Sequence, residues 1–234
     1  MRRVALGLLI LSVACGRKDD DPTPVDTDDP LVLDPPVGEP PDWTVEPRDL
    51  RETWLGYPLA GTHTYRVILT TTNANDRVTE DLDFQETRTY SSDLGIGASA
   101  LRIEGERMRQ PLDAWIGTTD QGWMMHWDPV GQEHHPIWPL DVVEGQRWTA
   151  PVLWFRRDNF AFSQFDGEYE VIATDATAPN GTEGCVHVHS TFADDGYTGE
   201  WDVWYERGPV VEERTVVNQN GAVEFARSTR IRRN

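Results

Sequence analysis

Lysine is almost missing from this chain: Lys18 stands alone among 234 residues. Chemistry that needs a lysine amine, as a Schiff base or a general base, is thereby excluded from everything beyond residue 18. Cysteine is nearly as scarce, with only Cys15 and Cys185. If Cys15 is taken up by modification, the remainder has one thiol and no internal disulfide, and burial alone must stabilise it. Positive charge is short as well. Residues 49–234 hold 16 arginines against 30 acidic residues, which leaves no electrostatic footprint for nucleic acid or for anionic headgroups. No Gly-x-Ser-x-Gly elbow and no His-Glu-x-x-His helix occurs. Acidic pairs are so abundant that none singles itself out for catalysis. The residue patterns name no catalytic residue and imply no cofactor.

What is present begins with an export signal. Met1-Arg2-Arg3 gives a basic start and residues 4–13 an apolar stretch, at whose end Ser12-Val13-Ala14 occupy a cleavage position. Ten residues span about 15 Å as a helix, half of a bilayer core of about 30 Å. The stretch therefore reads as a leader, residues 1–14, and not as a membrane span. Ser-Val-Ala also suits an ordinary signal peptidase, which would release a soluble periplasmic protein. A cysteine directly after the cut, Cys15, resembles the bacterial lipobox, whose cysteine is acylated and becomes the mature N-terminus. That resemblance implies a membrane partner through lipid on Cys15. Gly16 in place of an aspartate implies, by analogy with enterobacterial sorting, the outer membrane.

Residues 15–48 then read as the lipidated cysteine and a tether. The stretch 16–48 contains eight prolines and ten acidic residues, a composition that self-repels and buries too little to fold. Extended at about 3.1 Å per residue, it reaches roughly 100 Å at most. Lys18-Asp19-Asp20-Asp21 resembles acidic surface-export signals of some bacterial lipoproteins, but solvation of an acidic linker is the reading preferred for these few residues.

From residue 49 to 234 the texture is short alternating runs with turns between them. Residues 62–72 place His63, Tyr65, Val67 and Leu69 on one face, a period of two. Val78, Leu82 and Phe84 repeat the alternation after an Asn73-Ala74-Asn75-Asp76 turn. Further strands are expected at 101–108, 114–118, 123–127, 169–174, 185–192, 200–206, 210–218 and 223–231. Asn180-Gly181, Asp195-Gly196, Gly208-Pro209 and Asn220-Gly221 punctuate the last of these. No window of twelve residues sustains a helical period, and at most a short helical turn fits near residues 49–55. The expectation is one all-β domain: an antiparallel meander of about ten strands, curled into an open barrel or a sandwich.

Two constellations carry possible chemistry. Cys185, His187 and His189, spaced by two on a strand, share one face about 7 Å apart. Such a His-x-His pair reaches one metal ion, and His126, His134 or His135 would complete a site if a neighbouring strand brought them close. The plain alternative is two solvated histidines beside a core made by Val186 and Val188. The second constellation is tryptophan. Six of the ten lie between residues 115 and 154, and Trp115, Trp123, Trp127 and Trp148 would line an apolar pocket, stack on a glycan, or simply fill the core. Asp194-Asp195-Gly196 lacks the alternating acidic spacing of a calcium loop and reads as a solvated turn.

Tyr57-Pro58-Leu59 leading to Gly61 and Tyr65 resembles an opening motif of bacterial β-rich envelope lipoproteins. Pro139-Leu140 with Gly145 and Trp148 is similar to their second strand entry. Gly181 to Cys185, Trp204-Tyr205, Gly208 and Val210-Val211 are similar to their closing strands. The resemblance covers residues 57–231 and implies a β-sheet lipoprotein with no catalytic residue. On this reading the domain is non-enzymatic and binds an envelope protein or an apolar small molecule. The competing reading is a metal-binding protein or metal-dependent enzyme that uses His187 and His189.

Overall fold

The computed structural model describes residues 32–33, 50–93, 100–118, 123–128, 133–156, 161–194 and 196–233. The leader, Cys15 and most of the tether lie outside the described residues. In chain order the strands are β1 (Val32–Leu33), β2 (Ala60–Thr72), β3 (Val78–Asp93), β4 (Ala100–Arg107), β5 (Gln110–Thr118), β6 (Trp123–Asp128) and β7 (Glu133–Pro139). They continue with β8 (Arg147–Arg156), β9 (Ala161–Ala176), β10 (Cys185–Asp194), β11 (Tyr197–Tyr205), β12 (Pro209–Asn218) and β13 (Val223–Arg233). The only helical element among the described residues is a 3-10 turn at Leu50–Glu52, within the segment where the sequence leaves room for one.

Alternation builds the strands as expected. In β2, His63, Tyr65, Val67 and Leu69 are buried while Arg66 is exposed, so one edge-on glance separates core face from solvent face. Two of the hairpins share one device. Asn73 Oδ1 accepts the N–H groups of Asn75 and Arg77, and Asn218 Oδ1 accepts those of Asn220 and Ala222, at 2.9–3.1 Å. A short amide side chain thus replaces the missing ladder partner and fixes the turn.

All strands belong to a single sheet in the order β1-β8-β9-β10-β11-β12-β13-β2-β3-β4-β5-β6-β7. Strands β2 to β13 pair antiparallel, and the last strand, β13, lies against β2. The sheet is therefore a meander whose two ends meet in its middle, with β7 at one margin and β8, bordered only by the two-residue β1, at the other. It does not close into a barrel, because no ladder joins β7 to β8. The reading of about ten strands leaves out these two edge strands. Pro136 and Pro139 in β7 and Pro151 in β8 disguise them, and proline, which has no N–H to donate, belongs on an edge. Indole groups span the gap instead. Trp148 Nε1 donates to the Ile137 carbonyl at 2.8 Å and Trp54 Nε1 to the Pro139 carbonyl at 2.9 Å. Val32 and Leu33, within the stretch read as tether, pair in parallel with Arg147 and Trp148 on the edge of β8.

The sheet is strongly curled. Side chains of β12 meet those of β3 and β4 although β13 and β2 intervene in the sheet. The main core gathers Leu50, Leu55 and Tyr57 with inward residues from β3 to β6 and β8 to β11, including Leu101, Ile116, Met124, Trp148, Val188 and Val203.

Candidate functional site

Charge occupies the concave face where the alternation would put apolar residues. Glu86 and Arg88 of β3 share the parity of Phe84 and Tyr90, and Glu212 and Arg214 of β12 share that of Val216. Arg88 and Glu212 are 2% and 0% exposed and face each other through two contacts, Nη1 to Oε1 at 2.7 Å and Nη2 to Oε2 at 3.4 Å. Arg88 also donates to Glu86 (3.2 Å), Ser228 Oγ (3.3 Å) and the Glu106 carbonyl (3.3 Å), and its guanidinium lies 4.0 Å above the Tyr65 ring. Burial alone would raise the Glu212 carboxyl, but Arg107 and Arg88 outweigh it and hold it at about 2. Arg214 pairs with Glu224 beside this cluster, so Arg88, Arg107 and Arg214 balance Glu86, Glu212 and Glu224.

Arg107 differs from the others. Its Nε donates to Glu212 Oε2 at 2.9 Å and its guanidinium packs 4.1 Å from the Trp201 ring, yet its side chain remains 27% exposed. It closes β4 immediately before a turn made by Met108 and Arg109, whose φ angles are +52° and +61°. Two-residue turns of this hand ordinarily use Gly, Asn or Asp. Here the Glu86 carboxylate secures the turn by accepting the N–H of Met108 (2.9 Å) and of Arg109 (3.3 Å). A buried carboxylate thus stabilises strained backbone to bring one arginine into the interior, the kind of expense that accompanies function.

Aromatic rings surround the cluster. Tyr65 Oη donates to the Pro209 carbonyl (3.1 Å) and lies 3.3 Å from Tyr90 Oη and 3.4 Å from His63 Nδ1. Burial, then Arg230, Arg233 and Arg88, push the His63 imidazole down to about 4. Tyr57 and Tyr205 belong to the main core and Tyr169 and Trp201 pack against it. Burial raises all three of these phenols well above their usual range, against the opposing charge of Arg107.

The residues singled out in the sequence fall elsewhere. His187 and His189 share the outer face of β10, and both meet one oxygen of Asp202 on β11: His187 Nε2 at 2.8 Å and His189 Nδ1 at 3.1 Å. His187 also stacks on Trp204, with centroids 4.2 Å apart. The two imidazoles converge on a carboxylate oxygen rather than on an open point. Among the described residues no group of three or more His, Cys, Asp or Glu has metal-holding geometry. The Cys185 thiol is buried and turned to the Thr182 carbonyl at 3.5 Å, packed with Ala178, Val210 and Val211. Trp148 is a core residue stacked on Tyr169 at 5.3 Å. Trp115 lies on the opposite face of the sheet, under Arg102 at 4.7 Å, so these two rings do not line one cavity. Trp123 and Trp127 occupy β6, with Trp127 in register with Trp115, and their side chains lie outside the described residues, as do those of His126, His134 and His135. Cys15 lies outside them too. The charged interior residues were legible only through parity, as Glu and Arg standing at core positions of strands.

No family model matches the chain, and no curated protein is significantly similar to it.

Proposed function

We propose that this is a lipid-anchored protein of a bacterial envelope, held at the outer membrane through Cys15, whose β domain is a non-enzymatic receptor for a small, largely apolar molecule. The leader and the position of Cys15 support the anchor. One structural observation supports the receptor: a curled sheet open between β7 and β8, with Tyr57, Tyr169, Tyr205 and Trp201 gathered round a partly exposed Arg107. Aromatic walls with a few fixed polar groups are the usual make-up of a small-molecule site. An envelope protein bound on the outer face is the reading that this favours less, because the distinctive residues point inward.

Two measurements test the proposal on the full chain. The wild type purified from membranes should carry acyl chains and a co-purified small molecule in native mass spectrometry, and Cys15→Ser should lose the acyl mass and turn soluble. Cys15→Ser protein that stays with membranes through a carbonate wash overturns the anchor. Protein that never carries a small molecule overturns the receptor.

A further inference from the structure

The interior around Arg107 has more hydrogen-bond donors than acceptors. Only Nε of its guanidinium is used, by Glu212, and no hydrogen bond engages Nη1 or Nη2 among the described residues. The hydroxyls of Tyr57, Tyr169 and Tyr205 likewise form no hydrogen bond among the described residues, and Tyr57 and Tyr205 are only 5% and 4% exposed. Trp201, against which Arg107 packs, has its ring N–H buried and without an acceptor. Tyr57 and Tyr205 lie in the main core with Tyr169 and Trp201 packed against it, and Arg107 stacks on Trp201 at 4.1 Å, which gathers these groups in one part of the interior. Buried polar groups normally find partners, and an arginine held at its Nε by a carboxylate presents its terminal edge in a fixed direction.

From this we infer that Arg107, with the hydroxyls of Tyr57, Tyr169 and Tyr205, binds the oxyanion head of an organic ligand, a carboxylate or a phosphate, whose apolar part lies against the aromatic wall. The arginine supplies a charge-assisted pair of donors and the phenols neutral ones. Glu212 engages Arg107 through Nε alone, which leaves the terminal Nη1 and Nη2 outside that pair. The Glu86-held turn at Met108 and Arg109 fixes the arginine in advance, which lowers the ordering cost on binding. This inference rests on the receptor reading and adds the head-group chemistry to it.

Titration calorimetry of the full chain with octanoate, octanol and inorganic phosphate tests it. Octanoate should bind roughly 10- to 100-fold more tightly than octanol, the span of a charge-assisted hydrogen bond. Arg107→Gln should abolish that preference. Tyr205→Phe, which removes one hydroxyl and keeps the packing, should reduce it by a smaller factor and serves if the arginine variant fails to fold. Equal binding of the acid and the alcohol overturns the head-group site and leaves the receptor standing. Octanoate preference that survives in both variants overturns the assignment to Arg107. Phosphate binding as tightly as octanoate, and lost in Arg107→Gln, keeps the oxyanion site but identifies a free ion as its occupant and overturns the apolar tail. Failure of all three probes overturns the inference, while a neutral molecule found by mass spectrometry would still uphold the receptor.

Discussion

Glu212 is fully buried and holds Arg88 and Arg107 at the same time, so its removal leaves two guanidinium groups without their main counter-charge. Breaking one partner of a buried ion pair costs about 3–5 kcal/mol, and Glu212→Gln should lower the stability read from urea unfolding by about that amount. Asp83→Asn provides the contrast. Asp83 pairs with Arg66 on the surface, with both side chains more than half exposed, and its variant should unfold with an unchanged midpoint. A Glu212→Gln midpoint equal to that of the wild type would show that Arg88 and Glu86 suffice to hold the interior. At this scale the sequence reveals parity but not partnership. Glu86, Arg88 and Glu212 stand where alternation predicts core residues, yet only the curl of the sheet says that β12 meets β3. The His187–His189 pair was legible as neighbours on one face, whereas Asp202, which draws both rings onto one oxygen, lies on the next strand and depends on register.

The approach of β4 to β3 depends on one backbone position. Gly105 has φ of +133°, and a Cβ built there would lie 2.1 Å from the Thr87 carbonyl oxygen. Backbone atoms cannot yield as a flexible side chain does, so Gly105→Ala should displace β4 and, with it, Arg107. A loss of more than about 2 kcal/mol is expected from strain and lost ladder bonds together. Gly145→Ala separates the two causes, because φ is +78° there but a Cβ would meet nothing within 4 Å. It should cost less, and a Gly105→Ala protein as stable as Gly145→Ala would refute the close crossing. Elements were legible where turn chemistry and alternation agreed, as at Asn73 and at Asn220-Gly221. They were hidden where proline broke the pattern, as in β7 and β8, because an edge strand needs only one of its two rows of hydrogen bonds.

The molecule as a whole should lose stability in acid in two stages. His63 is held neutral, at about 4 when folded against 6.5 when free. The unfolded chain therefore binds the extra proton first, and stability that is complete above pH 6.5 declines as pH falls towards 4. Glu212 is held ionised, at about 2 against 4.5, so its contribution is complete above pH 4.5 and declines towards pH 2. Melting temperatures followed from pH 8 to 2 should show both stages, and His63→Gln should flatten the upper one while leaving the lower. An unaltered slope between pH 6.5 and 4 in that variant would assign the upper stage to another group. The all-β class and the antiparallel meander were legible because they depend on local alternation and hairpins. The identity of the free edges was not, because pairing of β13 with β2 joins strands at opposite ends of the domain, and no local signal records such a contact.

That same pairing has a consequence for a chain that is synthesised N-terminus first. Strand β2, with its run of Val67, Ile68, Leu69 and Thr70, receives β3 soon after it emerges, but its other side waits until β13 has been delivered. Until then a long edge rich in β-branched residues stays available to any other strand it meets, the situation that favours aggregation. Non-local closure of this kind is also slow in its own right. The domain therefore matures only once its final segment is present, and a chaperone that shields β2 would protect it for the whole of that interval.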